Sequence, residues 1–298
     1  MDTIWVTGSK GQLGTEISLR QEALPGFNFL YTDIGELDMR DEKAIEAFIN
    51  QHTPAYIINC AAYTAVDKAE TDREAAYTLN QGIPASLQRY TSGKGCRIIH
   101  VSTDYVFDGK ANRPYAETDI AEPTSVYGSS KLAGEKEILK DKKNLVIRTS
   151  WLYSAHGNNF VKTMLRLGKE KEEIGVVNDQ TGIPTWAADL VGVVFTVIRR
   201  VHEDATIPGG IYHYANKGSC TWYEFASRIM HEARLKCNVR PLTSAEYPQA
   251  AKRPPYSVMD CNKIVRQFDL IIPDWEDSLG KCLEQLSEKQ GIAGRGGE

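Results

Sequence analysis

Short apolar runs alternate with longer amphipathic segments through the first half of the chain, and the alternation predicts its architecture. TIWVTG (3–8) reads as a buried strand ending in glycine, and QLGTEISLRQEA (12–23) as the helix after it. FNFLYTD (27–33) is a second strand. DEKAIEAFINQH (41–52), with acidic residues in its first turn where they complement the helix dipole, is a second helix. AYIINCAA (55–62) predicts a third strand, CRIIHVST (96–103) a fourth and NLVIRTS (144–150) a fifth. Between them, 73–91 reads as a helix kinked around Gly82 and Pro84, and SVYGSSKLAGEKEILK (125–140) as an unbroken one. Strict alternation of strand and helix implies right-handed βαβ units and a parallel sheet with helices on both faces. The expected class is α/β, a Rossmann-type doubly wound sheet whose ligands bind beyond the carboxyl ends of its strands.

The pattern loosens in the second half. Helices are expected at 158–171, 187–203 and 222–235, separated by Gly/Pro-bearing connections such as PGGIYHYANKG (208–218) and KRPPYS (252–257). The tail GIAGRGGE (291–298) is expected to be disordered.

Composition narrows the partners. The chain has 298 residues, 42% apolar and 25% charged, enough to bury a large core. Its net charge of −4 has no basic stripe, which argues against a nucleic-acid surface. No apolar run approaches the ~20 residues of a membrane span. MDTIWVTGS (1–9) lacks the charged and apolar regions of a signal peptide. Of the six cysteines none lies within three residues of another, against a zinc ribbon or a Cys-x-x-Cys redox site. Free thiols in a reducing cytoplasm are the expectation, with no metal site.

Candidate chemistry begins at TGSKGQLG (7–14), which places Gly8, Gly11 and Gly14 between the first strand and its helix. Such a loop lets the backbone approach a pyrophosphate and aims helix N-terminal amides at it. A glycine turn that only packs strand on helix is the bland alternative. Asp33 ends the second strand about 20 residues further on, where a carboxylate accepts from ribose hydroxyls and favours NAD. Lys10 could instead hold a 2′-phosphate, so NADPH and NADH both stay open. Asp38 and Met39 could flank the adenine, and Ala61, Ala62 and Tyr63 could line the cofactor.

Tyr127 and Lys131 share a helix face four residues apart. With 14 tyrosines the spacing arises about once by accident, and it recurs at Tyr90 and Lys94. Context separates the two. STDYVFDG (102–109) brings Thr103 to the same rim of the sheet as the glycine loop, just before the helix that starts near Tyr127. Gly93 and Gly95 instead break the end of the helix bearing Tyr90. Reducing a ketone needs a hydride and a proton. A free phenol, with a pKa of about 10, is a reluctant acid, and a neighbouring ammonium is expected to lower that value. Thr103 could hold the carbonyl oxygen.

At these residues the chain resembles the extended short-chain dehydrogenase/reductase family. AAYTAVDKAE (61–70), VSTDYVFDG (101–109), VYGSSKLAGE (126–135), RTSWLY (148–153), GNNFVKTMLR (157–166) and NDQTGIPT (178–185) are similar to its dTDP-4-dehydrorhamnose reductase branch. The resemblance implies a cytoplasmic NAD(P)H-dependent reductase of a dTDP-sugar. A dinucleotide-binding domain would span 1–150, and a smaller, mainly substrate-binding domain 151–290, with some segments returning to the sheet. By the same resemblance Tyr127 is the proton donor and Lys131 its partner, with Thr103 where many relatives have serine. Gly8, Lys10, Gly11, Gln12, Leu13, Gly14, Asp33, Asp38, Met39, Ala61, Ala62 and Tyr63 meet the cofactor, as do Tyr127 and Lys131, the latter at the nicotinamide ribose. Thr103, Asp104 and Trp151 meet the sugar nucleotide, joined by Asn178, Gln180 and Arg253, the last for the diphosphate. Trp151 as a core aromatic and Arg253 as a loop arginine are the plain alternatives. Some relatives dimerise through a magnesium ion held by glutamates. Glu16 could match one ligand, but Ala188 stands at another and Asp189 is one residue out of phase, which counts against magnesium while a homodimer stays open. A sugar-nucleotide epimerase, or a non-catalytic subunit resembling the regulatory subunit of methionine adenosyltransferase, remain as alternatives.

Overall fold

The computed structural model describes residues 1–289, so the expectation for the tail 291–298 falls outside the described residues. Five strands alternate with helices as the pattern predicts: β1 (Asp2–Thr7), β2 (Phe27–Thr32), β3 (Tyr56–Asn59), β4 (Arg97–Thr103) and β5 (Leu145–Thr149). A sixth, Gly210–His213, completes a parallel sheet in the order Gly210–His213, β5, β4, β3, β1, β2. From β1 the chain moves outward to β2, then crosses back to β3 on the other side of β1. That reversal opens a crevice beyond the carboxyl ends of β1 and β3, where such sheets bind ligands.

Successive strand residues face opposite layers, and both layers are apolar. Ile4, Val6, Ile58, Ile99 and Ile147 pack with α1 (Gln12–Arg20) and with the helix Ala187–Glu203. Trp5, Ile57, Ile98 and Val146 pack on the other face with α2 (Glu42–His52) and the helix Ile83–Thr91. A separate cluster around Met164, Trp186, Phe225, Ile229 and Trp275 organises the remainder of the second half.

Several elements differ from the sequence reading. The kink in 73–91 is a π-helical turn, Thr78–Gly82, between two α-helical pieces. Pro84 has no N–H for the carbonyl of Asn80, four residues back. The segment 208–218, read as a connection, contributes the sixth strand, parallel to β5 from Gly210↔Leu145 to His213↔Arg148. Its four residues are too few to show a period. The parallel pair Glu173–Val177 and Asn238–Leu242 was hidden for a similar reason, since both are short and carry Gly175 or Pro241. Helices Asn262–Phe268 and Trp275–Lys289 also escaped the pattern. Among the described residues no helix is long and apolar enough to cross a membrane. Among the described residues no disulfide joins the cysteines.

Candidate active site

The glycine loop sits in the crevice between β1 and β3. Gly8 follows β1 directly with φ +63°, and a β-carbon there would fall 2.7 Å from the Ala61 amide nitrogen at the end of β3. A β-carbon at Gly14 would fall 2.5 Å from the Gly8 carbonyl oxygen. Only glycine lets the loop, β3 and α1 approach so closely. Gly11 caps α1 without a side-chain hydrogen bond, which leaves the first-turn amides to a ligand. At the far edge of the loop the Asp33 carboxylate accepts from the Lys10 amide at 2.9 Å, while the Lys10 ammonium pairs with Glu36 at 2.7 Å. The loop's shape therefore suits a dinucleotide, with two carboxylates, Asp33 and Glu36, and one cation, Lys10, at its far edge.

A cavity of about 780 Å³ opens above this loop. It brings together Gly8, Lys10, Gly11, Gln12, Leu13, Gly14, Asp33 and Ala62 with Thr103, Asp104, Tyr127, Lys131 and Trp151. Other expected cofactor residues stand outside its lining. Asp38 is held by Arg40, which keeps its carboxyl low, at about 2. Met39 lies in the core beside Ile45. Ala61 packs its backbone on Gly8, and the Tyr63 hydroxyl donates to Asp72 at 3.1 Å.

The helix Val126–Ile138 starts on Ser125, whose hydroxyl accepts from the Gly128 amide at 3.1 Å. A β-carbon at Gly128 would fall 2.2 Å from the Tyr105 carbonyl oxygen, so glycine there lets the helix lie against the end of β4. Tyr127 is buried with its ring edge-on to Tyr105, centroids 5.6 Å apart. One turn on, the buried Lys131 donates from Nζ to the Val101 carbonyl of β4 at 2.7 Å. Thr103, at the end of β4, donates to Asp104 Oδ1 at 3.0 Å.

Burial governs the titration of all three ionisable groups. It pushes the Tyr127 hydroxyl up to about 12, with a Thr103 hydrogen bond pulling it down and the Asp104 charge adding to the rise. The expected lowering by Lys131 is not among these influences, and its ammonium is turned to the Val101 carbonyl. Burial lowers Lys131 to about 8, against the pull of Glu135 and Cys60. Burial raises Asp104 from the usual 3.8 to about 6, despite hydrogen bonds from Ser257 and Thr103.

The Asp104 shift carries a stability prediction. Its folded pKa lies above its unfolded one, so the folded state holds the extra proton between about 4 and 6 and stability falls as pH rises through that window. Asp104→Asn is expected to be more stable than the parent by about 3 kcal/mol at neutral pH, an advantage that vanishes below pH ~4. Urea denaturation across pH checks this, and a constant difference would refute it.

Sequence reasoning missed Asn80, in the π-helical turn. Its side chain donates to Ser130 Oγ at 3.0 Å and accepts from the Tyr63 amide at 2.8 Å. Ser130 in turn donates to the Tyr127 carbonyl at 2.8 Å. The only sequence signal was the Gly82/Pro84 interruption. Asn159 was missed too; it donates to Gln12 Oε1 at 2.9 Å and closes the second half over the glycine loop.

Trp151 follows β5 with φ +44° and stacks on Trp222. Asn178 accepts from the Thr221 hydroxyl at 2.8 Å and does not line the main cavity. Gln180 and Arg253 line a second cavity, of about 450 Å³. Arg253 is bound bidentately by Asp67 at 2.9 and 2.7 Å, and Gln180 donates to Ser244 at 2.9 Å. Val66, next to Asp67, lines the main cavity, so this ion pair lies where the two cavities approach. The residues considered for magnesium do not fit an ion. Glu16 is buried and taken by Arg20 and Ser154, and Asp189 accepts from Asn216 and Ser278. Among the described residues no group of three or more His, Cys, Asp or Glu could hold a metal.

A family model described as the RmlD substrate binding domain matches residues 1–288. A dTDP-4-dehydrorhamnose reductase of Aggregatibacter actinomycetemcomitans is 39% identical over 286 residues, 94% of this chain and 97% of that protein. The crystal structure of a dTDP-4-dehydrorhamnose reductase from Clostridium acetobutylicum is similar with a TM-score of 0.89 and 40% identity, covering 96% of this chain and 99% of that one. A Bacillus anthracis dTDP-4-dehydrorhamnose reductase, solved in complex with NADP, has a TM-score of 0.87 and 38% identity, covering 95% and 99%.

Proposed function

The chain belongs to the family of dTDP-4-dehydrorhamnose reductases, and on that premise we propose that it reduces dTDP-4-dehydro-L-rhamnose to dTDP-L-rhamnose, the last step of dTDP-rhamnose synthesis. The observation that carries the reading is the shared cavity of the glycine loop, Thr103, Tyr127 and Lys131. Residues 1–150 hold the dinucleotide, and 151–290 mainly hold the sugar nucleotide.

NADPH, or NADH in its place, supplies the hydride when bound on the glycine loop. Thr103 turns its hydroxyl from Asp104 to the substrate's C4 carbonyl oxygen and orients it toward Tyr127. Tyr127, at about 12, is fully protonated at neutral pH and so enters the reaction as an acid. The alkoxide left by hydride addition is a much stronger base, comparable with hydroxide, whose parent water has a pKa of about 15.7. Proton transfer from Tyr127 is therefore downhill. Lys131 then stabilises the phenolate, provided it carries its charge. Trp151 packs against the sugar, and Arg253, released from Asp67, meets the diphosphate.

Lys131 sets the alkaline limb. Its folded value of about 8 lies below the usual 10.5, so the ammonium is lost as pH rises through about 8 and kcat/KM is expected to fall there. Taken alone, the same shift makes the fold gain stability between about 8 and 10.5, and circular dichroism across that window separates the loss of charge from unfolding. A kcat/KM profile flat to pH ~10 would refute control of the rate by the Lys131 charge.

The deciding experiment is NADPH and NADH consumption by protein purified free of nucleotide, with and without dTDP-6-deoxy-L-lyxo-4-hexulose. Oxidation that requires the keto sugar is expected. Absence of turnover overturns the assignment, and copurified oxidised cofactor would point to an epimerase.

A further inference from the structure

Trp151 holds a backbone conformation that a non-glycine residue adopts only under constraint, with φ +44°. Its surroundings supply that constraint. The Trp151 carbonyl accepts from the Thr185 amide at 3.3 Å, and Ser150 donates to the Ile183 carbonyl at 2.7 Å. A β-carbon at Gly182 would fall 2.5 Å from the indole, so the ring lies tight against glycine backbone. Against it stacks Trp222, centroids 3.6 Å apart and planes 9° from parallel. Both indoles line the main cavity.

Trp222 is itself built in. It opens the helix Trp222–Glu232, which starts on a reciprocal cap between Thr221 and Glu224. The Thr221 hydroxyl donates to Asn178, and Cys220–Thr221 pairs with Thr181–Gly182, the strand that carries the close glycine. Phe160 braces Trp222 with ring centroids 4.6 Å apart. A residue placed only to fill the core needs neither the parallel stack nor an opening onto the cavity.

We propose that Trp222 is a positioning residue, whose stack holds the strained Trp151 indole as a fixed wall on the substrate side of the cavity. The proposal rests on the reading that Trp151 contacts the sugar nucleotide. It also gives Asn178 a role without substrate contact, as the anchor of the helix start that presents Trp222. Slackening Trp151 misplaces the keto carbon relative to Tyr127, and a misplacement of about 1 Å costs on the order of a hundredfold in rate.

The test compares Trp222→Leu, which keeps apolar bulk against Phe160, with Trp222→Phe and Trp151→Leu. The readouts are kcat, KM for the keto sugar, NADPH affinity and circular dichroism. Stacked indoles give the parent an exciton couplet, expected to vanish in all three variants. Trp222→Leu is expected to lose about tenfold to a hundredfold in kcat with NADPH affinity unchanged, and Trp222→Phe to recover to within about threefold of the parent. A folded Trp222→Leu with parental kcat and KM overturns the proposal. If Trp151→Leu lowers kcat while Trp222→Leu does not, the positioning role alone fails. If neither variant changes the kinetics, the sugar contact of Trp151 fails with it.

Discussion

Tyr127→Phe is expected to lower kcat by about a hundredfold to ten-thousandfold, the range removed with a positioned general acid. The substitution deletes one oxygen and keeps the ring, so the edge-on contact with Tyr105 and the burial beneath the cavity persist. Nothing in the glycine loop changes, and NADPH affinity should stay parental. Binding of the keto sugar should weaken little, because Thr103 still offers its hydroxyl to the carbonyl oxygen. What is lost appears only as charge develops on that oxygen, so the deficit belongs in kcat rather than KM. Residual turnover reflects proton delivery from water. The measurement is steady-state NADPH consumption with the keto sugar, alongside NADPH binding by fluorescence. Near-parental kcat would mean that another group delivers the proton. A parallel loss of NADPH affinity would mean that Tyr127 supports the cofactor instead.

How much of this was legible in the chain differs by residue, for physical reasons. The glycine loop could be read because its requirement is local: a left-handed residue after a strand and no β-carbon where two backbones meet. The Tyr-x3-Lys spacing needed the strand ends around it. At Tyr90 the same spacing fails, because the helix ends at Thr91 and Gly93 takes φ +74°. Lys94 then lies beyond the helix and reaches Asn50. The Tyr127 pKa was read with the wrong sign. Spacing puts an ammonium near a phenol, but only the fold shows that both are buried, that desolvation governs each, and that the ammonium is turned to Val101. Asn80 and Trp222 were invisible for another reason. Each acts on a residue some fifty or more positions away, through a π-helical turn in one case and a left-handed Trp151 in the other. The sixth strand was too short for periodicity and is recognisable only beside β5.

Arg148→Met is expected to destabilise the protein by about 3–5 kcal/mol, because it strands a buried carboxylate. Glu135 and Arg148 are both buried and joined bidentately, Nε to Oε1 at 2.9 Å and Nη2 to Oε2 at 2.7 Å. Ser102 of β4 donates to the same carboxylate at 2.5 Å, and the guanidinium lies 5.1 Å over the Phe107 ring. Glu135 stands one turn beyond Lys131 and two beyond Tyr127 on one helix. Lys131 and Glu135 thus pin that helix to β4, and Arg148 pins it to β5, so the proton donor inherits its position from a buried ion pair. Removing Arg148 leaves the charge without its partner, whereas removing both charges need not destabilise as much. The double variant Glu135→Gln/Arg148→Met keeps a hydrogen-bonding partner for Ser102 and is expected to recover at least half of the loss. Urea unfolding of parent, single and double variants measures the coupling. A single-variant cost under about 1 kcal/mol, or a double variant as unstable as the sum of its singles, would mean that the buried ion pair does not hold the Tyr127 helix in place.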